Sequence, residues 1–125
     1  MHAAPPQVLL GNLEPMLLVG LRQVLVEDGA EVIGQERSPT RLVTEAQRLQ
    51  PDVVLLDRGD AEARAVGEQV RRVAPRTKVI LCARDETLME VLDPASAAAR
   101  LVPLTFRGGL RSELSAPRDR QRVED

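Results

Sequence analysis

One histidine, one cysteine, one lysine and one aromatic residue occur in 125 residues. The histidine is His2, at the extreme N-terminus. A histidine metal cluster or a histidine-activated nucleophile inside the domain is therefore excluded. A single Cys82 cannot close an intramolecular disulfide, so a reducing, cytoplasmic setting is expected. With Phe106 as the sole aromatic, a nucleic-acid surface of stacked rings is excluded. Of the 17 basic residues all but Lys78 are Arg, yet 19 acids bring the net charge to −2. That balance argues against a strongly basic nucleic-acid module. No apolar run approaches the about 18 residues that span a bilayer. Residues 1–7 lack the basic segment of a secretion signal. Gly108-Gly109 has neither the spacing of a phosphate loop nor a following Lys, and reads as a turn. Without a glycine-rich cofactor loop or a catalytic His, an enzyme is not expected.

What is present is aliphatic. Hydrophobic residues make up 43% of the chain, enough for the core of one domain. Residues 8–10 form a short apolar run, and Leu17, Leu18, Leu21, Val24 and Leu25 then fall on one helical stripe. Pro15 suits the first turn of that helix and Gly29 its end. A strand around Val32-Ile33 follows. Ser38-Pro39 then opens a second helix carrying Leu42, Val43, Ala46 and Leu49. Residues 53–56 are an unbroken aliphatic run ending in Asp57, which reads as a strand buried on both faces. Val66, Val70 and Val73 mark a third helix, and residues 79–83 another buried strand. Residues 85–92 predict a weaker fourth helix, broken at Asp93-Pro94. Residues 101–104 predict a last strand, placed at an edge by Pro103. A short helix is expected over 110–114. The organisation expected is an arm over 1–7, one domain over 8–114, and a polar, disordered tail over 115–125. Strict alternation of strand and helix implies an α/β sandwich on a five-stranded parallel sheet. Sites in such sheets lie at the carboxyl ends of the strands.

The ordering, the run from Val8 through Asn12-Leu13-Glu14-Pro15, and above all Pro51-Asp52-Val53-Val54-Leu55-Leu56-Asp57 resemble the receiver domains of bacterial response regulators. The similarity is strongest to receivers of the LuxR-type regulators, here without a DNA-binding domain. The resemblance implies the flavodoxin-like fold with five strands and five helices. It implies that Asp57 occupies the phosphoacceptor position. In the family two acids after the first strand help hold Mg²⁺, and a Ser/Thr and a Lys bind the phosphoryl oxygens.

This sequence departs at each of those supporting positions. The paired acids are replaced by Asn12 and Leu13, with Glu14 following. Magnesium is held through carboxylates and other oxygens, and an isobutyl group supplies none, so Mg²⁺ binding is expected to be lost. The hydroxyl position falls on Ala83, or on Cys82 with a one-residue slip. The aromatic switch position falls on Leu101, and the lysine position on Pro103 or Leu104. Lys78, the only Lys, belongs to the preceding strand.

The resemblance with these departures implies a stand-alone pseudo-receiver. It would act independently of phosphorylation as a protein-interaction module in bacterial signal transduction, controlling transcription through a partner regulator. Docking on itself, as a homodimer, is equally open. Direct contact with nucleic acid or membrane is not expected. Two alternatives stay open: a conventional phosphoacceptor at Asp57 with a weakened metal site, and a sensor whose emptied pocket binds a small molecule.

Overall fold

The computed structural model describes residues 4–83, 88–96, 98–103 and 110–115. The elements run β1 (Gln7–Leu10), α1 (Pro15–Glu27), β2 (Glu31–Gln35), α2 (Pro39–Leu49), β3 (Val53–Asp57), α3 (Ala63–Val73), β4 (Lys78–Cys82), β5 (Leu88–Leu92), β6 (Arg100–Pro103) and α4 (Arg111–Ser115). The strands form one sheet in the order β2-β1-β3-β4-β5-β6. The first four of these are parallel, whereas β5 is antiparallel to β4, and β6 to β5.

The period-two alternation of the strands sorts the core into two layers. Val8, Leu10, Val53, Leu55, Ile80, Cys82, Met89 and Val91 meet α1 and the α4 side. Leu9, Val54, Leu56, Val79, Leu81 and Leu92 meet α2 and α3. The α/β class and the parallel β2-β1-β3-β4 half agree with the expectation from sequence. Pro39 at the start of α2 follows Ser38, whose hydroxyl accepts from the Arg41 N–H at 3.4 Å.

The other half requires correction. The sheet has six strands, not five, and they are not all parallel. The described part of the expected fourth helix, Leu88 to Leu92, is a strand. Leu88, Met89, Val91 and Leu92 satisfy a helical stripe and a two-sided strand equally well, and a run of five residues does not separate them. In the structure the strand form takes the place beside β4 that the last strand was expected to fill. Residues 88–92 pair the open backbone groups of β4 while sending Met89 and Val91 into one core layer and Leu92 into the other. The last strand therefore lies one position farther from β4 than the family pattern implies. Leu104, the Gly108-Gly109 turn and the tail beyond Ser115 lie outside the described residues. Gln7, assigned from sequence to the N-terminal arm, is already part of β1.

Charge fixes α4 to the sheet at the end opposite the carboxyl edge. The Nζ of Lys78 donates to the Glu113 carboxylate at 2.8 Å and to the Glu113 carbonyl at 3.1 Å. Arg100 donates to the same carboxylate at 2.7 Å and also to Asp93. Around these ions Leu110 and Leu114 are buried against the α1 layer. Burial alone would raise the Glu113 carboxyl, but the hydrogen bonds from Arg100 and Lys78 overcome it and hold the group below its usual range. Asp93 is held low chiefly by its hydrogen bond to Arg100.

Both carboxylates therefore contribute stability above the ordinary carboxylate range, and it is lost as pH falls through their lowered values. Glu113→Gln should lower the unfolding free energy at neutral pH by about 1–3 kcal/mol. It should also flatten the acid limb of stability against pH, as read by urea unfolding at a series of pH values. An unchanged acid limb would contradict this role.

Candidate functional site

Strand order reverses between β1 and β3, and the chain leaves these neighbours toward opposite faces, α1 to one side and α3 to the other. A cleft opens at such a switch point. Here it measures about 720 Å³ and is lined in part by Asn12, Glu14, Arg37, Asp57, Arg58 and Asp60. Gly11 makes the approach of β1 to β3 possible. A Cβ there would lie 2.6 Å from a Leu56 methyl and 3.3 Å from the Leu55 carbonyl oxygen.

Asp57 sits at the mouth, half-buried. Its Oδ2 accepts from the Glu14 N–H at 2.8 Å, and its Oδ1 from the Gly59 N–H at 2.8 Å. The second bond is an Asx turn that shapes the loop after β3. The first ties that loop to the start of α1. The Glu14 side chain turns the other way and caps α1, accepting from the Met16 and Leu17 N–H groups at 3.2 and 3.1 Å. Asp60 likewise accepts from the Glu62 N–H at 2.9 Å. The acids of this edge hold backbone.

Leu13, at the position of an acid in receivers, is 3% exposed and packs with Leu10, Leu17 and Leu110 in the α1 layer. Asn12 is exposed and Ala83 half-buried, and both line the cleft. Leu101 lies on β6 with 58% of its surface exposed, two strands from β4 and away from the cleft. Leu104 is outside the described residues. The structure thus brings together Asn12, Leu13, Glu14, Asp57 and Ala83 around the cleft, and leaves Leu101 apart.

Cys82 is a core residue. Burial, with the Asp57 carboxylate nearby, pushes its thiol up to about 12, far from a reactive thiolate.

Two cleft residues were missed by sequence reasoning, Arg37 and Asp60. Arg37 follows β2 at the same carboxyl edge, and the strand-end rule would have found it had it been applied to β2 as well. Arg58, in the loop after β3, donates its backbone N–H to the Cys82 carbonyl at 2.8 Å, and its guanidinium lies 3.6 Å from Glu90.

A magnesium ion would need several oxygens free to converge on it. Of the nearby carboxylates, Asp57 and Glu14 each have both oxygens engaged by backbone N–H groups. Leu13 presents carbon. Among the described residues no three His, Cys, Asp or Glu side chains group as a metal site. This donor set does not fit the ion that the resemblance implies.

No protein-family model matches the chain, and no curated protein matches it by sequence. A solved structure of a variant of the anti-anti-sigma factor PhyR from Bartonella quintana is similar in fold, with a TM-score of 0.53 and 21% identity. The likeness covers 62% of this chain and 33% of that one, so the chain spans about a third of its length. At this identity the likeness shows the fold alone, a mixed α/β sheet with helices on both faces.

The placement of Leu13 has a measurable consequence. Leu13→Asp restores an acid in sequence but buries an uncompensated charge, and it should cost about 3 kcal/mol or more in urea unfolding. Near-neutral stability would mean that the new carboxylate finds water through the cleft that Leu13 also lines.

Proposed function

We propose that the chain is a receiver-like regulatory module that works through protein contacts, without phosphorylation at Asp57 and without a bound magnesium ion. Its setting is bacterial signal transduction, with any effect on transcription passing through a partner regulator. The observation that carries this reading is the engagement of both Asp57 oxygens by the Glu14 and Gly59 N–H groups. A phosphoacceptor must present one oxygen as a nucleophile beside a cation that neutralises the incoming charge. Here the carboxylate is a structural clamp, and the neighbouring acid positions hold an amide and a buried leucine. The likeness in fold to PhyR supports the regulatory setting, since that protein is by its name an anti-anti-sigma factor and so acts on another protein.

Incubation with magnesium and acetyl phosphate, followed by intact mass measurement, should give the unmodified mass. A phosphoryl adduct that disappears in Asp57→Asn would overturn the proposal in favour of an orthodox phosphoacceptor.

A further inference from the structure

Helix α1 carries on its outer face an apolar stripe flanked by the exposed Arg22, Gln23 and Glu27. Its core side carries Leu17, Leu21, Val24 and Leu25, all buried. Its solvent side carries Met16, Val19 and Val26, which are 61, 65 and 76% exposed. These are three of the five exposed large hydrophobic residues among those described. By contrast α2 turns Arg41, Glu45 and Arg48 outward, and α3 turns out Arg64 and Arg72. An exposed apolar stripe on a helix otherwise seated on its own core marks a contact surface.

The outer residues are spaced as two heptads. Met16 and Gln23 fall at a, Val19 and Val26 at d. The only charges on α1 are Arg22 and Glu27, and they flank this stripe at g and e. In a parallel pair of helices the g residue of one chain meets the e residue five positions on in the other. Within one chain Arg22 donates to Gln35 at 3.1 Å and Gln23 to Glu27 at 3.0 Å. On pairing, these exposed side chains would exchange partners, and Arg22 would face Glu27 of a second copy, twice by symmetry. Gln23 would meet its own counterpart, where an amide both donates and accepts. An antiparallel pair would set Gln23 against Val19 and bring Glu27 toward the acidic Glu14 end.

We propose that the outer face of α1 is a homodimer interface, in which two copies pair their α1 helices side by side and parallel. This deepens the interaction-module reading, on which it rests, by naming a second copy of this chain as the partner. Two heptads are too few for an isolated coiled coil, but α1 is already folded on its own sheet, so the cost of nucleating helix does not fall on the interface. The stripe runs about 15 Å from Met16 to Val26. Such an interface lies below the about 1,200 Å² of a stable complex, so the pairing is weak and reversible.

Sedimentation velocity between about 10 µM and about 1 mM, a range suited to weak association, should show a concentration-dependent dimer. Arg22→Glu and Glu27→Arg should each weaken it at least about tenfold. An equimolar mixture of the two variants should restore it, because both flanking pairs are then opposite in sign. Val19→Cys and Val26→Cys should each cross-link to themselves under mild oxidation, with Arg41→Cys on α2 as the uncoupled control and Cys82 buried. A chain that stays monomeric throughout, or a dimer in which neither cysteine couples to itself, overturns the inference. Either result leaves the phosphorylation-independent reading to the phosphodonor experiment, and an aspartyl phosphate there would leave α1 pairing to the centrifuge.

Discussion

The carboxylate of Asp57 holds together two segments 43 residues apart in sequence, the entry to α1 and the turn that leaves β3. Each of its oxygens takes one backbone N–H at the rim of the sheet. Everything at this edge follows from that bond pair. The Glu14 amide is fixed by Asp57, which frees the Glu14 carboxylate to cap α1. Leu13 is then turned inward to complete the layer under α1 and α4. An acid at position 13 would have to displace that packing. The clamp thus gives Asp57 a structural use, and the neighbouring Asn12 and Leu13 add no negative charge beside it.

The two poles of the sheet divide the work. The carboxyl edge uses acids to order backbone around an open cleft. The opposite end uses Lys78, Arg100, Asp93 and Glu113 to seat a five-residue helix, too short to hold itself. Receivers are expected to place their lysine at the cleft. In this chain Lys78 is committed to α4 and lies 8% exposed at the start of β4. It supplies no positive charge to Asp57. What remains exposed and apolar is concentrated on α1, on the flank of the molecule rather than in the cleft.

Much of this was legible in the sequence where one signal pointed one way. The run Val53-Val54-Leu55-Leu56 has no reading other than a two-sided strand, and Pro15, Gly29 and Ser38-Pro39 punctuate the helices as observed. Placing Asp57, Asn12, Glu14 and Ala83 at one edge followed from parallel topology alone. Residues 88–92 failed because a five-residue apolar segment fits both periods, and the pairing with β4 that separates them is not written in the segment itself. That error moved the last strand and carried Leu101 away from the cleft. The destination of Lys78 was hidden for a related reason. Its partners Asp93 and Glu113, and the Arg100 that shares them, come from segments whose positions depend on that antiparallel pairing.

The central claim is that Asp57 spends its carboxylate on the Glu14 and Gly59 amides and does not yield it to a cation. The most direct measurement is a magnesium titration of the ¹⁵N-labelled protein, following the amide resonances of Glu14 and Gly59. The account predicts that both stay in place up to about 10 mM, a concentration well above that of ordinary divalent-ion sites. Saturable shifts of these two amides together with Asn12 would contradict it, because they would mean that the ion draws the carboxylate off its backbone partners.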